Sequence, residues 1–176
     1  MHPVIDACLD LLRAHRFDPA DIERIDVQIS PAALTLCDRK EPANNREAKT
    51  SLQHWAAVCM RRGAAGLAEG EPECFADPAV TALRRRVEAG ADPAIGDDGA
   101  RVTVTLRGGW THAITVEHCR GSVARPMSDG DLDEKFLGQA SLAMSPGAAR
   151  ELLADCWRLE VLPDIGDFIR RHFPAG

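Results

Sequence analysis

Along this chain the spacing of apolar residues changes period several times, and each change marks an element. Val4, Ile5, Cys8, Leu9 and Leu12 recur at helical spacing, and Pro3 suits a first helical turn, so the chain opens on a helix. Phe17-Asp18-Pro19 breaks it. Ile22, then Ile25, Val27 and Ile29 set against Arg24, Asp26 and Gln28, give the period-two alternation of a half-buried strand, which Pro31 ends. One or two helical turns are expected over 32–37, and a loop over 38–46, where Pro42 and Asn44-Asn45 stand. A second helix is predicted over 47–62, with Leu52, Trp55, Ala56, Cys59 and Met60 as its buried stripe and Gly63 closing it.

Asp77-Pro78 is a helix start, a capping carboxylate before a first-turn proline, leading into Val80, Leu83 and Val87. Residues 89–99 read as loop. The clearest sheet signal follows: Val102, Val104 and Leu106 alternate with Arg101, Thr103 and Thr105, Gly108-Gly109 turns, and 113–116 returns as a hairpin. Ser128 caps a helix to about Gln139, Ser145-Pro146 opens another, and a short helix is expected over 165–173. The fold class predicted is α+β: a two-layer domain of antiparallel sheet packed with helices, plus C-terminal helices.

Composition narrows the function classes. The chain has 176 residues, 45% hydrophobic and 27% charged, which suits one ordinary globular domain. Its formal net charge of −6 argues against a nucleic-acid partner, because phosphate binding needs a basic footprint. Arg84-Arg85-Arg86 is the one dense basic cluster, read first as a solvated helix face and second as an anion contact. No apolar run is long enough for a membrane-spanning helix and the N-terminal stretch is no signal peptide, so a cytoplasmic location is expected. Six cysteines without a Cys-x-x-Cys pair predict reduced thiols and no structural metal; Cys8, Cys59 and Cys156 lie on apolar helical stripes as small hydrophobes.

Chemistry-bearing motifs are few. Phosphate loops, nucleophile elbows and His-Glu-x-x-His helices are missing, and Gly108-Gly109 is a hairpin turn, not an anion nest. His54 lies about 200° around the predicted helix from Leu52, away from the apolar stripe, on a face with Glu47, Thr50 and Arg61. A histidine there is either a solvated surface group or a proton carrier for a substrate that faces it. His112, His118 and His172 have no motif support, and structural or surface roles are expected for them.

Two segments carry a resemblance: His2-Pro3-Val4-Ile5-Asp6-Ala7 and Glu47-Ala48-Lys49-Thr50-Ser51-Leu52-Gln53-His54-Trp55-Ala56-Ala57. With the order of features downstream, they resemble the C-terminal part of MmgE/PrpD-family enzymes, over nearly the whole chain. The resemblance implies a lid domain, residues 1–176, of a lyase or isomerase. Such an enzyme dehydrates, decarboxylates or epimerises a small di- or tricarboxylic acid of the 2-methylcitrate or cis-aconitate type. It does so by proton transfer without a cofactor. It further implies a large helical domain ahead of this point, on which a helical tail at 146–176 packs, and a homodimer. Residue by residue, His54 stands where cis-aconitate decarboxylase-like relatives read tyrosine in Ser-Phe-Gln-Tyr, a departure that keeps proton transfer but puts decarboxylation in doubt. His54 is thus the implied catalytic residue. His2 matches the family histidine before Ile-Asp-Ala and is the implied substrate-binding residue, close to the pocket or frayed at the chain start. Lys135-Phe136 and Lys49 match family positions of packing or ion-pair character. The alternatives are a split subunit or remnant acting as a protein-interaction module, and a small-acid binding protein.

Overall fold

The computed structural model describes residues 1–173, so positions 174–176 of the expected tail lie outside the described residues. The chain divides into two compact units, Met1–Pro126 and Met127–Gly176.

The first unit begins with α1 (His2–Ala14), whose Pro3, Val4, Ala7, Cys8 and Leu11 are buried. The strands β1 (Ile22–Ile29), β2 (Val87–Ala91), β3 (Ala100–Leu106) and β4 (Thr111–Val116) form one sheet in the order β2-β1-β3-β4. β1 pairs antiparallel with β3, and β3 with β4, as the alternation predicts. The sheet is mixed, because β2 lies parallel to β1 at its other edge. That strand falls partly in the stretch read as loop. Its run Val87-Glu88-Ala89-Gly90-Ala91 carries one large apolar residue, too weak a pattern to register as a strand. Its existence depends on backbone pairing with β1, a tertiary contact.

Register puts the apolar residues on one face. Ile25 is opposite Val104 and Val87, and Val27 is opposite Val102, all of them buried. The other face carries Arg24 paired with Asp26, and Arg101 donating to Thr115 Oγ1. Ile22 and Ile25 are both buried although three residues apart, which strict alternation forbids; a register shift between Ile22 and Arg24 resolves it, as a bulge does. Gly108 and Gly109 have φ of 89° and 83°, the left-handed region the hairpin turn requires.

The helical prediction over 47–62 splits in two. α3 (Asn45–Ala48) is capped by Asn44, and α4 (Leu52–Arg62) starts afresh, with Ser51 Oγ accepting from His54 N–H. Ser51 is a better cap than helix interior, and the break at residues 49–51 follows. α4 ends on Gly63 in the left-handed region. α2 (Pro31–Cys37), α5 (Pro72–Ala76) and α6 (Pro78–Arg84) complete this unit's helices, α6 capped by Asp77 as predicted. α1 and α4 pack on each other and with the strands, while α6 covers another side of α4.

The second unit holds α7 (Asp129–Ala140), with a Ser128–Asp131 capping box, α8 (Pro146–Cys156) and α9 (Ile165–His172). Trp157 Nε1 donates to Asp133 Oδ1 at 2.6 Å, and Asp155 pairs with Arg171 and His172, each at 2.9 Å. Cys156 is exposed, unlike Cys8 and Cys59.

Ile25 lies at the centre of the buried sheet face, fully excluded from solvent. Ile25→Ala is expected to lower unfolding free energy by about 2–5 kcal/mol, read as a lower urea midpoint at unchanged slope.

Candidate functional site

The segment from Asp38 to His54 is organised by buried polar contacts at the start of α4. Ser51 Oγ donates to Arg39 C=O at 2.6 Å while it caps the helix. Gln53, 1% exposed, accepts from Arg39 N–H at 3.1 Å through Oε1 and donates to Asp38 through Nε2. The Ser-Leu-Gln-His signature therefore clamps the 38–46 loop onto α4 by side chains on both sides of Leu52. Trp55 Nε1 donates to Lys49 C=O at 3.1 Å, and Lys49 Nζ lies 3.8 Å from Glu71. The other signature is structural in the same way: Asp6 accepts from Arg120 N–H at 2.6 Å, holding the segment after β4 to α1.

His54 is 1% exposed, so the surface-group alternative does not hold. The angular argument placed it off the main apolar stripe, but α4 is buried almost all round: Leu52, Gln53, Ala56, Ala57, Val58, Cys59 and Met60 are buried with it. Neither ring nitrogen, Nδ1 nor Nε2, has a hydrogen-bond partner. Its ring neighbours are Trp55 and Phe75, at centroid distances of 6.1 and 6.0 Å, both edge-on. Burial first, and the positive Arg84 second, hold its pKa at about 4, so the imidazole is neutral near pH 7.

Arg84 corrects the reading of the triple-arginine run as a solvated face. It is 4% exposed at the end of α6, with Nε and Nη1 sealed and unpartnered, and its Cζ sits 5.4 Å from the Phe75 ring centroid. Burial lowers its pKa, with the Glu41 carboxylate opposing and Arg85 adding to the shift. The triple pointed to this residue only as a cluster. Arg85 and Arg86 face elsewhere, Arg85 reaching Glu41 at 3.3 Å and Arg86 donating to Ile22 C=O.

His2 is exposed in the first turn of α1. It is not among the ring contacts of His54. Lys135 and Phe136 line a groove of the second unit with Leu132, Leu153 and Trp157. The remaining histidines have partners: His112 stacks on His15 at 4.0 Å, His118 Nδ1 lies 2.7 Å from Asp98, and His172 bonds Asp155. Burial raises the Cys8 thiol pKa well above its usual range and that of Cys59 to about 12, so neither is a nucleophile near neutral pH. Among the described residues no group of three or more His, Cys, Asp or Glu side chains is placed to hold a metal, and no helix is long and apolar enough to cross a membrane.

Within the α+β unit an unpaired neutral histidine and a buried arginine thus share one aromatic neighbour, Phe75. A family model described as the MmgE/PrpD C-terminal domain matches residues 1–159, and the chain belongs to that family. It is similar to the 2-methylcitrate dehydratase of Salmonella typhi, 30% identical over 160 residues, covering 82% of this chain and 33% of the relative. The 2-methylcitrate dehydratase of Cupriavidus necator gives the same identity and coverage. That of Salmonella typhimurium strain LT2 is 33% identical over 104 residues, 58% of this chain and 21% of the relative. The chain thus spans a third or less of the length of these relatives.

The His54 environment makes stability pH-dependent. Folded, its pKa is about 4; unfolded, it returns to the ordinary 6.5. Above about pH 6.5 neither state carries the proton and the residue contributes nothing to the pH slope. As pH falls from there toward 4, the unfolded chain takes up a proton that the fold refuses, and stability drops by up to about 3 kcal/mol. Urea unfolding at about pH 7.5 and pH 4.5 is expected to give a smaller pH difference in His54→Leu than in the parent protein.

Proposed function

We propose that this chain is the C-terminal lid portion of an MmgE/PrpD-type lyase or isomerase that moves protons on a small di- or tricarboxylic acid. Dehydration of a 2-methylcitrate-like hydroxy acid is the preferred reaction. The names of the relatives support that choice, as does the histidine where the decarboxylase-like pattern has tyrosine. The observation that carries the reading is His54 itself, buried with two unpartnered ring nitrogens on the family's signature segment. In such an elimination a proton leaves the carbon next to a carboxylate, the adjacent C–O bond breaks, and the departing hydroxide takes a proton to leave as water. A neutral imidazole has one lone pair and one N–H, and so can take part at either end. A carboxylate beside it raises its pKa from about 4 toward the working range.

The second unit has a supporting role in this reading. Ile165 and Ile169 of α9 are 53% and 51% exposed, Trp157 48% and Val161 68%, an apolar set that suits docking on a helical domain or a separate helical subunit. The same exposure favours the second reading, a non-catalytic interaction module.

Turnover decides between them. The protein is isolated from its native cells through a tag on this chain, so that any companion domain or subunit is retained. It is then assayed with 2-methylcitrate by the ultraviolet absorbance of the unsaturated product. His54→Gln is expected to lower kcat at least about 100-fold with a smaller change in KM. Parent-level turnover in this variant removes His54 from the chemistry, and no turnover in the parent protein favours the interaction module.

A further inference from the structure

Five polar or charged side chains are buried among the described residues: Ser30, Ser51, Gln53, His54 and Arg84. Three of them are satisfied. Ser30 Oγ donates to Asp97 at 2.6 Å, Ser51 to Arg39 C=O, and Gln53 bonds both Asp38 and Arg39. The two that are not satisfied share one neighbour, the Phe75 ring, with Arg84 Cζ over it and the His54 ring against it. Among the described residues five sealed side-chain atoms lack a hydrogen-bond partner; four belong to this pair, and the fifth, Asn45 Oδ1, is on a side chain whose amide donates to Gly70 C=O.

The charge at this pair is one-sided. A guanidinium stays protonated even where burial disfavours it, and a buried cation without a counter-ion is strongly unfavourable. Among the described residues Arg84 has no salt bridge; the carboxylate whose charge it feels is Glu41, which is engaged with Arg85 at 3.3 Å. The Phe75 face offsets part of the cost but supplies no acceptor oxygen. Nη2 is not sealed as Nε and Nη1 are. Nη2 is therefore the nitrogen at which an anion can meet the guanidinium charge.

We propose that Arg84, with His54 beside it, receives one carboxylate of the substrate. This extends the reading given under Proposed function to a particular anion contact within the Met1–Pro126 unit. The arginine binds and orients the acid, and its carboxylate supplies the negative charge that the pair lacks.

The test uses tricarballylate, a tricarboxylate without a hydroxyl to eliminate, on the protein isolated with whatever accompanies this chain. For the parent protein, ligand at a hundred times its Kd is expected to raise Tm by roughly 5 °C or more. Arg84→Met, which keeps the aliphatic stem, is expected to fold with an unliganded Tm at or above the parent value, since it removes a buried unpaired charge. It should lose the ligand-dependent rise and increase KM for 2-methylcitrate roughly 10- to 100-fold. Arg84→Lys, which keeps the charge without the fork, should recover part of the rise. A full tricarballylate shift in Arg84→Met, or no shift in the parent protein, overturns the proposal. Parent turnover of 2-methylcitrate with an unchanged KM in Arg84→Met overturns this contact while leaving the proposed reaction standing. A tricarballylate shift that depends on Arg84, in a protein that does not turn over 2-methylcitrate, upholds the contact and removes the reaction.

Discussion

Helix α4 is enclosed by α1, α6 and β2, and from Ser51 to Met60 nearly every side chain is shut off from solvent. Apolar side chains alone would make such a helix an inert core element. Here three of the four signature positions around its start, Ser51, Gln53 and His54, are polar and buried, and each must be answered by a specific partner or left wanting. Ser51 and Gln53 are answered by the Asp38–Arg39 backbone and side chain, so the loop before α4 is held by the same contacts that start the helix. His54 is left wanting. The fold thus spends its local hydrogen-bonding capacity on positioning one histidine that it does not itself satisfy.

That histidine is electrically defined by its surroundings. Burial and Arg84 together favour the neutral ring, and the aromatic neighbours Trp55 and Phe75 offer no hydrogen-bond acceptor to draw a proton onto it. In the proposed reading, an anionic substrate supplies a charge that both binds the arginine and makes the imidazole more basic. The site would then be switched on by the substrate's own charge. Membership in the MmgE/PrpD family gives this arrangement a chemical context.

The two units differ in how completely they answer their apolar residues. In Met1–Pro126 the sheet face, α1 and α4 bury a continuous core. Among the described residues of the second unit only Ala149 and Leu152 are buried, while Trp157, Val161, Ile165 and Ile169 remain exposed. Three short helices have too little volume to enclose such residues. Their amphipathic pattern therefore marks a surface.

Much of the fold was legible from period and punctuation. α1, β1, the β3–β4 hairpin, the Asp77 and Ser128 caps and the α+β class follow from local rules, because spacing, capping oxygens and glycine turns act over a few residues. The split between α3 and α4 was legible in principle, since Ser51 is a capping residue, but the apolar stripe ran on through it. The candidate site was half legible. His54 could be picked out, yet its burial could not, because a single helix's wheel does not reveal that α1, α6 and β2 close around it. Arg84 stood in a run whose composition pointed to solvent, and only the packing of α6 against α4 took it, and not Arg85, inside. The parallel edge strand β2 belongs to the same class of fact. Sequence alone determined most of the helices, the antiparallel strands and their turn, since those preferences are local. Which edge of β1 would be paired, and which of the polar side chains would lose water without gaining a partner, was decided by tertiary structure, because both depend on residues far apart in the chain.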